Sequence, residues 1–333
     1  MTMHDESGRL HSRRAFLTIG LGAFVVAAVP AASRRRRTLV RRTLPVMGTI
    51  AEIGVVHDDA RYAHGALDAA FAELTAVEGA MSRFLPTSDI GRANTGAALA
   101  PVTVSAATGL VLVEALRWAH ATDGAFDPCL GGAVALWDVG RRNAPPGHAA
   151  VRRFAGRTLY QSLEVHRSSA GAVVAFDDAD VAVDLGGIAK GYGVDRAVDA
   201  LRRHGIEHAL VNVGGDLYAL GRSPDGDPWQ IGVRAAAAPQ QLAGTIALTD
   251  AAVATSGDYE QFFTHGGRVY HHLLDPATAA PRASRLHSVT VQAASCMNAD
   301  AAATAAFGLS ATDADALVRR ADVSARVLQL GRA

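Results

Sequence analysis

The sequence predicts an α+β fold of layered β-sheets with flanking helices, and three observations carry that expectation. Apolar residues recur at helical spacing over residues 58–81, over 105–120 and again after Gly187. Six short β-type runs then follow between Ala209 and Ala293. No GxGxxG fingerprint opens a βαβ unit and no Walker A spacing surrounds Lys190, which argues against a Rossmann or P-loop nucleotide enzyme.

The chain has 333 residues, 49% of them hydrophobic and 19% charged, enough for one sizeable domain or two small ones. Its formal net charge is zero, so no nucleic-acid partner is expected. Cys129 and Cys296 form neither a CxxC pair nor a disulfide framework and are expected as free thiols.

Residues 1–33 carry the marks of a twin-arginine signal peptide. Ser12-Arg13-Arg14-Ala15-Phe16-Leu17 precedes an apolar stretch to Ala32 that closes in small residues. Export to the periplasm or the extracytoplasmic face of the membrane follows as an expectation. Residues 34–40 are a basic linker, and the run Arg34 to Arg37 leaves room for membrane association through the N-terminus. Residues 41–333 are the folded domain.

Within it, Leu39 to Val55 is expected as a strand hairpin turning at Pro45-Val46-Met47-Gly48-Thr49. Ala63, Leu67, Ala70, Leu74, Val77 and Met81 line one face of a long helix. A polar loop runs from Ser82 to near Asn94, and Ser105 caps a second helix reaching about His120. Residues 141–171, rich in Arg, Pro, Ala and Ser, have the least pattern and are expected as an insertion. A strand pair to Val183, a helix after Gly187 ending at Gly205, the six strands and a helix opening near Asp300 complete the chain.

The stretch Asp184-Leu-Gly-Gly-Ile-Ala-Lys-Gly-Tyr-Gly-Val-Asp195 organises the rest. An apolar run reaches an acid, two glycines and a helix start, where free N–H groups and the helix dipole favour an anion. Of the 32 basic residues only Lys190 is lysine. A chain that otherwise uses arginine for positive charge keeps lysine where a compact ammonium is needed, and a phosphate is the expected partner.

Asp300 and Thr304, four residues apart, share a helix face and offer hard oxygens of the kind Mg²⁺ accepts, although an incidental helix-start acid fits the same spacing. Asp258 and His272 flank a hairpin turning at His265-Gly266-Gly267. If the hairpin brings them together, they form a carboxylate–imidazole base.

In combined order, Met47-Gly48-Thr49, Gly124 to Pro128 with Trp137, Asp184 to Asp195, Asn212 to Asp216, Ser256 to Tyr259, His272 to Pro281 and Ala299 to Thr304 resemble the ApbE-type FAD:protein FMN transferases. The resemblance spans about Thr43 to Leu330. It implies an ApbE-like flavin-transferase fold that uses FAD and Mg²⁺ and attaches FMN to a threonine of an acceptor flavoprotein subunit, with release of AMP. It further implies that Met47, Phe84, Ala125, Phe126, Asp127, Asp184, Lys190 and His272 line the FAD site. Gly187 and Ala303 would give carbonyls, and Asp300 and Thr304 side chains, to the metal; His272 would be the catalytic base with Asp258 beside it.

Two positions depart from the family pattern: Ala279 stands where a glycine is usual, and Cys129 where a threonine is. An FAD pyrophosphatase and a non-catalytic flavin-binding protein are the alternatives that the same residues allow.

Overall fold

The computed structural model describes residues 24–26, 37–235, 238–284, 286–322 and 324–332. The twin-arginine pattern and Arg34 to Arg36 lie outside the described residues. Within the apolar stretch that follows that pattern, Phe24–Val26 forms β1.

β2 (Leu39–Val46) and β3 (Thr49–Val56) make the expected hairpin, with Met47 and Gly48 in the turn, both at positive φ. α1 (Ala60–Met81) begins at Asp59, whose carboxylate accepts the N–H groups of Arg61 and Tyr62. It buries the stripe from Ala63 to Met81 read from its spacing. Burying one such leucine stabilises the fold by about 2 kcal/mol.

The expected loop over 82–94 contains a helix instead, α2 (Asp89–Gly96), capped by Ser88. Gly91 and Asn94 give it a weak helical signal, yet Gly91 is required: a Cβ there would come within 2.1 Å of the Leu85 carbonyl oxygen. β4 (Val102–Val104) leads to α3 (Ala106–Ala121), which Ser105 caps as expected.

After α4 (Gly131–Trp137), the supposed insertion is ordered. It holds α5 (His148–Arg152) and β5 (Leu163–Ser168), and β5 pairs with β6 (Gly171–Phe176) in a three-stranded sheet of order β4-β6-β5. As an edge strand β5 exposes most of its residues, which hid its alternation. Val181 to Val183 is not the second strand of a pair; it makes a single parallel bridge, Leu130 to Ala182.

α6 (Ala189–Arg203) follows, ending before Gly205 at φ +67°. Then come β7 (Ala209–Val213), β8 (Asp216–Leu220), β9 (Trp229–Ala235), β10 (Ala238–Leu248) and β11 (Ala251–Gly257). β12 (Phe262–His265), β13 (Arg268–His271), β14 (Leu274–Asp275), β15 (Ala280–Pro281) and β16 (Leu286–Ala293) continue the run. α7 (Cys296–Ala306), α8 (Ala311–Ala321) and β17 (Arg326–Arg332) close it.

Seven strands form the main sheet, in the order β17-β16-β11-β8-β7-β3-β2, and every neighbouring pair is antiparallel. β7 is buried on both faces. Ala209, Val211 and Val213 join the core that α1, α6 and α7 cover, while Leu210 packs with Trp229, Ile231 and Val233 of β9. β9 and β10 form a separate small sheet, with β1 on the outer side of β9. The fold is therefore the α+β layering that the sequence predicts.

Candidate active site

The glycine junction is held from several directions. Asn94 of α2 brackets Val183, its Oδ1 accepting the Val183 N–H at 2.7 Å and its Nδ2 donating to the Val183 carbonyl at 2.9 Å. The Asp184 N–H donates to the Pro128 carbonyl. Its Oδ1 accepts the Gly186 N–H at 2.8 Å, and its Oδ2 meets Arg83 Nε at 2.7 Å. Arg83 also lies over the Phe84 ring, 4.1 Å from the centroid. No spacing pointed to Arg83, because its partner is about a hundred residues away.

α7 starts at Cys296, one turn earlier than expected, so Asp300 and Thr304 sit inside the helix and still share a face. Asp195 fixes that start: its carboxylate accepts the N–H groups of Cys296 at 2.7 Å and Met297 at 2.9 Å. Burial pushes the Asp195 carboxyl up to about 6, against those two hydrogen bonds.

The two helices meet at small residues. A Cβ on Gly191 would come within 2.2 Å of the Cys296 carbonyl oxygen. A Cβ on Gly187 would come within 2.9 Å of Thr304 Oγ1 and 3.2 Å of the Phe126 ring. The Gly191 N–H, which an uninterrupted helix would aim at the Gly187 carbonyl, goes instead to Asp300 Oδ2 at 3.1 Å. Ser256 Oγ lies 3.3 Å from Thr304 Oγ1. Gly187 thus lies against Thr304, and Asp300 on the same face of α7 holds the first turn of α6.

Lys190 faces different partners from those expected. Its ammonium pairs with Asp216 and stands 3.6 Å from Asp300 Oδ1. Burial works against the charge of Lys190, but Asp216, Asp300 and Glu260 together outweigh it and hold the lysine protonated. One ammonium cannot neutralise all three acids. Asp216 is accordingly pushed well above the carboxylate range by burial and by the Asp300 charge, and Glu260 is pushed up to about 7, mainly by burial. Asp216 ends the Asn212-Val-Gly-Gly-Asp216 run; the lone lysine pointed to a phosphate, and nothing in its spacing pointed to Asp216.

The Asp258–His272 pair is not formed. The backbone carries Asp258 toward β16, where its carboxylate holds His287 Nδ1 at 2.9 Å and its N–H donates to the His287 carbonyl. His272, just past β13, places Nδ1 3.4 Å from the Gln261 carbonyl oxygen. A carbonyl only accepts, so that contact assigns the proton to Nδ1 and leaves Nε2 bare. Burial lowers the His272 imidazole to about 4. The neighbouring His271 is buried, and its Nε2 meets the Arg282 carbonyl at 3.0 Å.

The remaining predicted residues flank this centre. Met47 Sδ would lie 3.0 Å from a Cβ on Gly193, so Met47 rests against α6. Phe84 is 69% exposed. The Ala125 carbonyl accepts from the buried Arg282 guanidinium, which also reaches the carbonyls of Ala305 and Phe307 and so ties the end of α7 to this loop. Asp127 accepts the Cys129 N–H at 2.8 Å, and burial pushes its carboxyl up to about 6. On this side a cleft of about 460 Å³ opens between Ala125, Asp275, Arg282 and Phe307. Cys129 and Cys296 are both buried and free, as expected.

The family model of the ApbE family matches residues 47–327. The chain belongs to that family. Among ApbE relatives it is 35% identical to the FAD:protein FMN transferase of Treponema pallidum, across 82% of this chain and 80% of the relative. It is 34% identical to that of Vibrio cholerae, across 78% of each. The solved flavin transferase ApbE from Vibrio cholerae superposes with a TM-score of 0.74 at 31% identity, covering 85% of this chain and 91% of that one. The ApbE protein of Thermotoga maritima gives 0.78 at 28% identity, covering 89% and 97%. The recognised family and fold are those expected from the ordered motifs.

Proposed function

We propose that this flavin transferase divides FAD at its pyrophosphate, placing FMN on a threonine hydroxyl of an acceptor protein and releasing AMP, with Mg²⁺ as the metal. The observation that carries the proposal is the convergence of Gly187, Asp300 and Thr304. An added Cβ at Gly187 would fill the space against Thr304, and the Gly191 N–H, in the first turn of α6, donates to Asp300. The Asp300 carboxylate, the Thr304 hydroxyl and the carbonyls of Gly187 and of Ala303, the last of which also accepts the Phe307 N–H at 3.1 Å, would offer hard oxygens with one charge, which suits Mg²⁺ retaining water and phosphate oxygens. Bound there, the metal supplies charge neutralisation at the pyrophosphate.

His272 takes the proton of the attacking hydroxyl at its bare Nε2, while the new oxygen–phosphorus bond forms on the FMN side and the bond to the AMP phosphate breaks. Lys190 stays protonated among its carboxylates and fixes Asp300 in place. Phe84, Met47 and the segment Ala125–Asp127 bind the flavin nucleotide, and Asp184, braced by Arg83, holds the glycine junction that faces it. The twin-arginine pattern supports export, so the acceptor is a redox protein exposed outside the cytoplasm, and the basic linker supports contact with the membrane surface.

The test is direct. Incubation with FAD, Mg²⁺ and a threonine-bearing acceptor should add an FMN mass to the acceptor, with flavin fluorescence that survives denaturation. Free FMN and AMP formed at the same rate with or without acceptor would identify a pyrophosphatase instead. FAD that binds and stays intact would identify a carrier.

A further inference from the structure

We infer that Ser256 is a positioning residue for the transfer site: its hydroxyl receives the proton of the Thr304 hydroxyl and so leaves the Thr304 oxygen free to face the metal. The inference rests on the reading of Thr304 as a metal oxygen. It gives the Ser256-Gly-Asp-Tyr259 motif a part that Asp258, engaged with His287, does not supply.

A helical threonine ordinarily donates to the carbonyl one turn back, which satisfies its hydroxyl locally. Thr75 on α1, Thr95 on α2 and Thr122 at the end of α3 all do so, donating to the carbonyls of Phe71, Gly91 and Trp118 at 3.0, 2.9 and 2.7 Å. Thr304 behaves differently. Among the described residues no carbonyl of α7 accepts from it, and its Oγ1 lies 3.3 Å from Ser256 Oγ instead. Its Oγ1 and Cγ2 stand 2.9 and 3.0 Å from the place that a Cβ on Gly187 would take, so the hydroxyl sits between the glycine junction and β11.

The sheet explains why a serine waits there. Alternate residues of β11 face opposite sides: Ala252 and Ala254 join the core that α7 covers, and Val253 joins the core against β9. Ser256 continues the side of the two alanines, so a stripe of methyl groups ends in a hydroxyl beneath α7. It is 8% exposed, and among the described residues Thr304 is its one hydrogen-bond partner. Burying a hydroxyl costs free energy unless it is bonded, so each of the two holds the other in place. By geometry either hydroxyl can donate. A cation drawing on the Thr304 oxygen strengthens that O–H as a donor, which assigns the acceptor role to Ser256.

The test counts metal directly. Mn²⁺ replaces Mg²⁺, and the free ion is titrated by electron paramagnetic resonance in the presence of FAD, on a His272→Ala background so that transfer does not intervene. Ser256→Ala should raise the Mn²⁺ Kd roughly tenfold, as for other lost partners of metal ligands. Thr304→Val should raise it at least as much, and adding Ser256→Ala to Thr304→Val should change nothing further. Thr255→Val, which breaks the neighbouring Thr255–Thr290 hydroxyl pair inside the sheet, should leave Mn²⁺ affinity unaltered. With His272 restored, Ser256→Ala should raise the Mg²⁺ concentration for half-maximal transfer by the same factor and keep kcat at saturating Mg²⁺ within twofold. Parent-level Mn²⁺ affinity in Ser256→Ala, or losses from Ser256→Ala and Thr304→Val that multiply in the double variant, overturns the role of Ser256 and leaves the metal reading standing. Parent-level affinity in both Thr304→Val and Asp300→Asn removes the two together.

Discussion

The Gly191 N–H is bonded to the Asp300 carboxylate at 3.1 Å, so the first turn of α6 orients the one carboxylate in the oxygen set beside Gly187. Asp300→Asn keeps shape and hydrogen bonding but removes the charge. The Mg²⁺ concentration for half-maximal transfer should rise roughly 10- to 100-fold, as for lost metal-site interactions generally. An unchanged Mg²⁺ titration would reduce Asp300 to a helix residue that caps Gly191.

Gly187→Ala tests the same place by volume. The new methyl would stand 2.9 Å from Thr304 Oγ1 and 3.0 Å from its Cγ2, so Thr304 must move out of line. Transfer should fall by at least tenfold while the melting temperature changes by only a few degrees, about 1 kcal/mol of overpacking. Full activity in this variant would show that Thr304 has no part in the site.

Lys190 separates charge from shape. Lys190→Ala strands Asp216 and Asp300 without their cation and should cost about 3 kcal/mol of stability, read by denaturant unfolding. Lys190→Arg keeps the charge but introduces a planar fork beside Gly191 and should weaken FAD binding in a fluorescence titration. Equal FAD affinity in Lys190→Arg and the parent chain would contradict the requirement for a compact ammonium.

His272→Ala should still bind FAD and transfer almost no FMN, a loss of at least a hundredfold. Because burial holds the His272 imidazole at about 4, its Nε2 is a free base from pH 5 upward. The rate controlled by this group should be level between pH 5 and 8 and drop only as pH approaches 4. The linkage has the matching sign: the unfolded histidine binds its proton near 6.5 and the folded one near 4, so stability from this group is lost as pH falls across that interval. A rate that falls already at pH 6.5 would assign the base elsewhere.

Asp195 works in the opposite direction. Its carboxyl is raised to about 6, so between pH 4 and 6 the folded chain binds more protons than the unfolded one, and stability from this group declines as pH rises. Asp195→Asn removes that titration. The melting temperature of the variant relative to the parent should therefore shift upward between pH 4.5 and 7.5; a constant difference would show that Asp195 does not titrate there.

What could be read from the sequence follows physical range. The helix stripe from Ala63 to Met81, the Ser105 cap and the convergence of Gly187 with Asp300 and Thr304 rest on local periodicity, capping or ordered motifs. α2 and β5 were missed because a short glycine-containing helix and an exposed edge strand carry little apolar pattern. The pairing of Asp258 with His287 rather than His272 is set by the β11–β16 register, and the Arg83 bridge to Asp184 by contact between distant segments; neither leaves a trace in spacing.

Ala279 bears on how much mutational change this protein can absorb. It is fully buried at φ +50°, in the turn after Asp275, with its carbonyl accepting the Trp137 indole N–H at 2.7 Å. An alanine in the left-handed region costs about 1 kcal/mol that glycine would not, partly offset by the greater freedom of glycine in the unfolded chain. Ala279→Gly would relieve that strain but would also delete a fully buried methyl, a loss of about 0.8 kcal/mol, so the net change is close to zero or slightly destabilising. The buried methyl and the strained backbone thus offset one another, and the chain can drift between alanine and glycine at this turn without changing its margin for substitutions around His272.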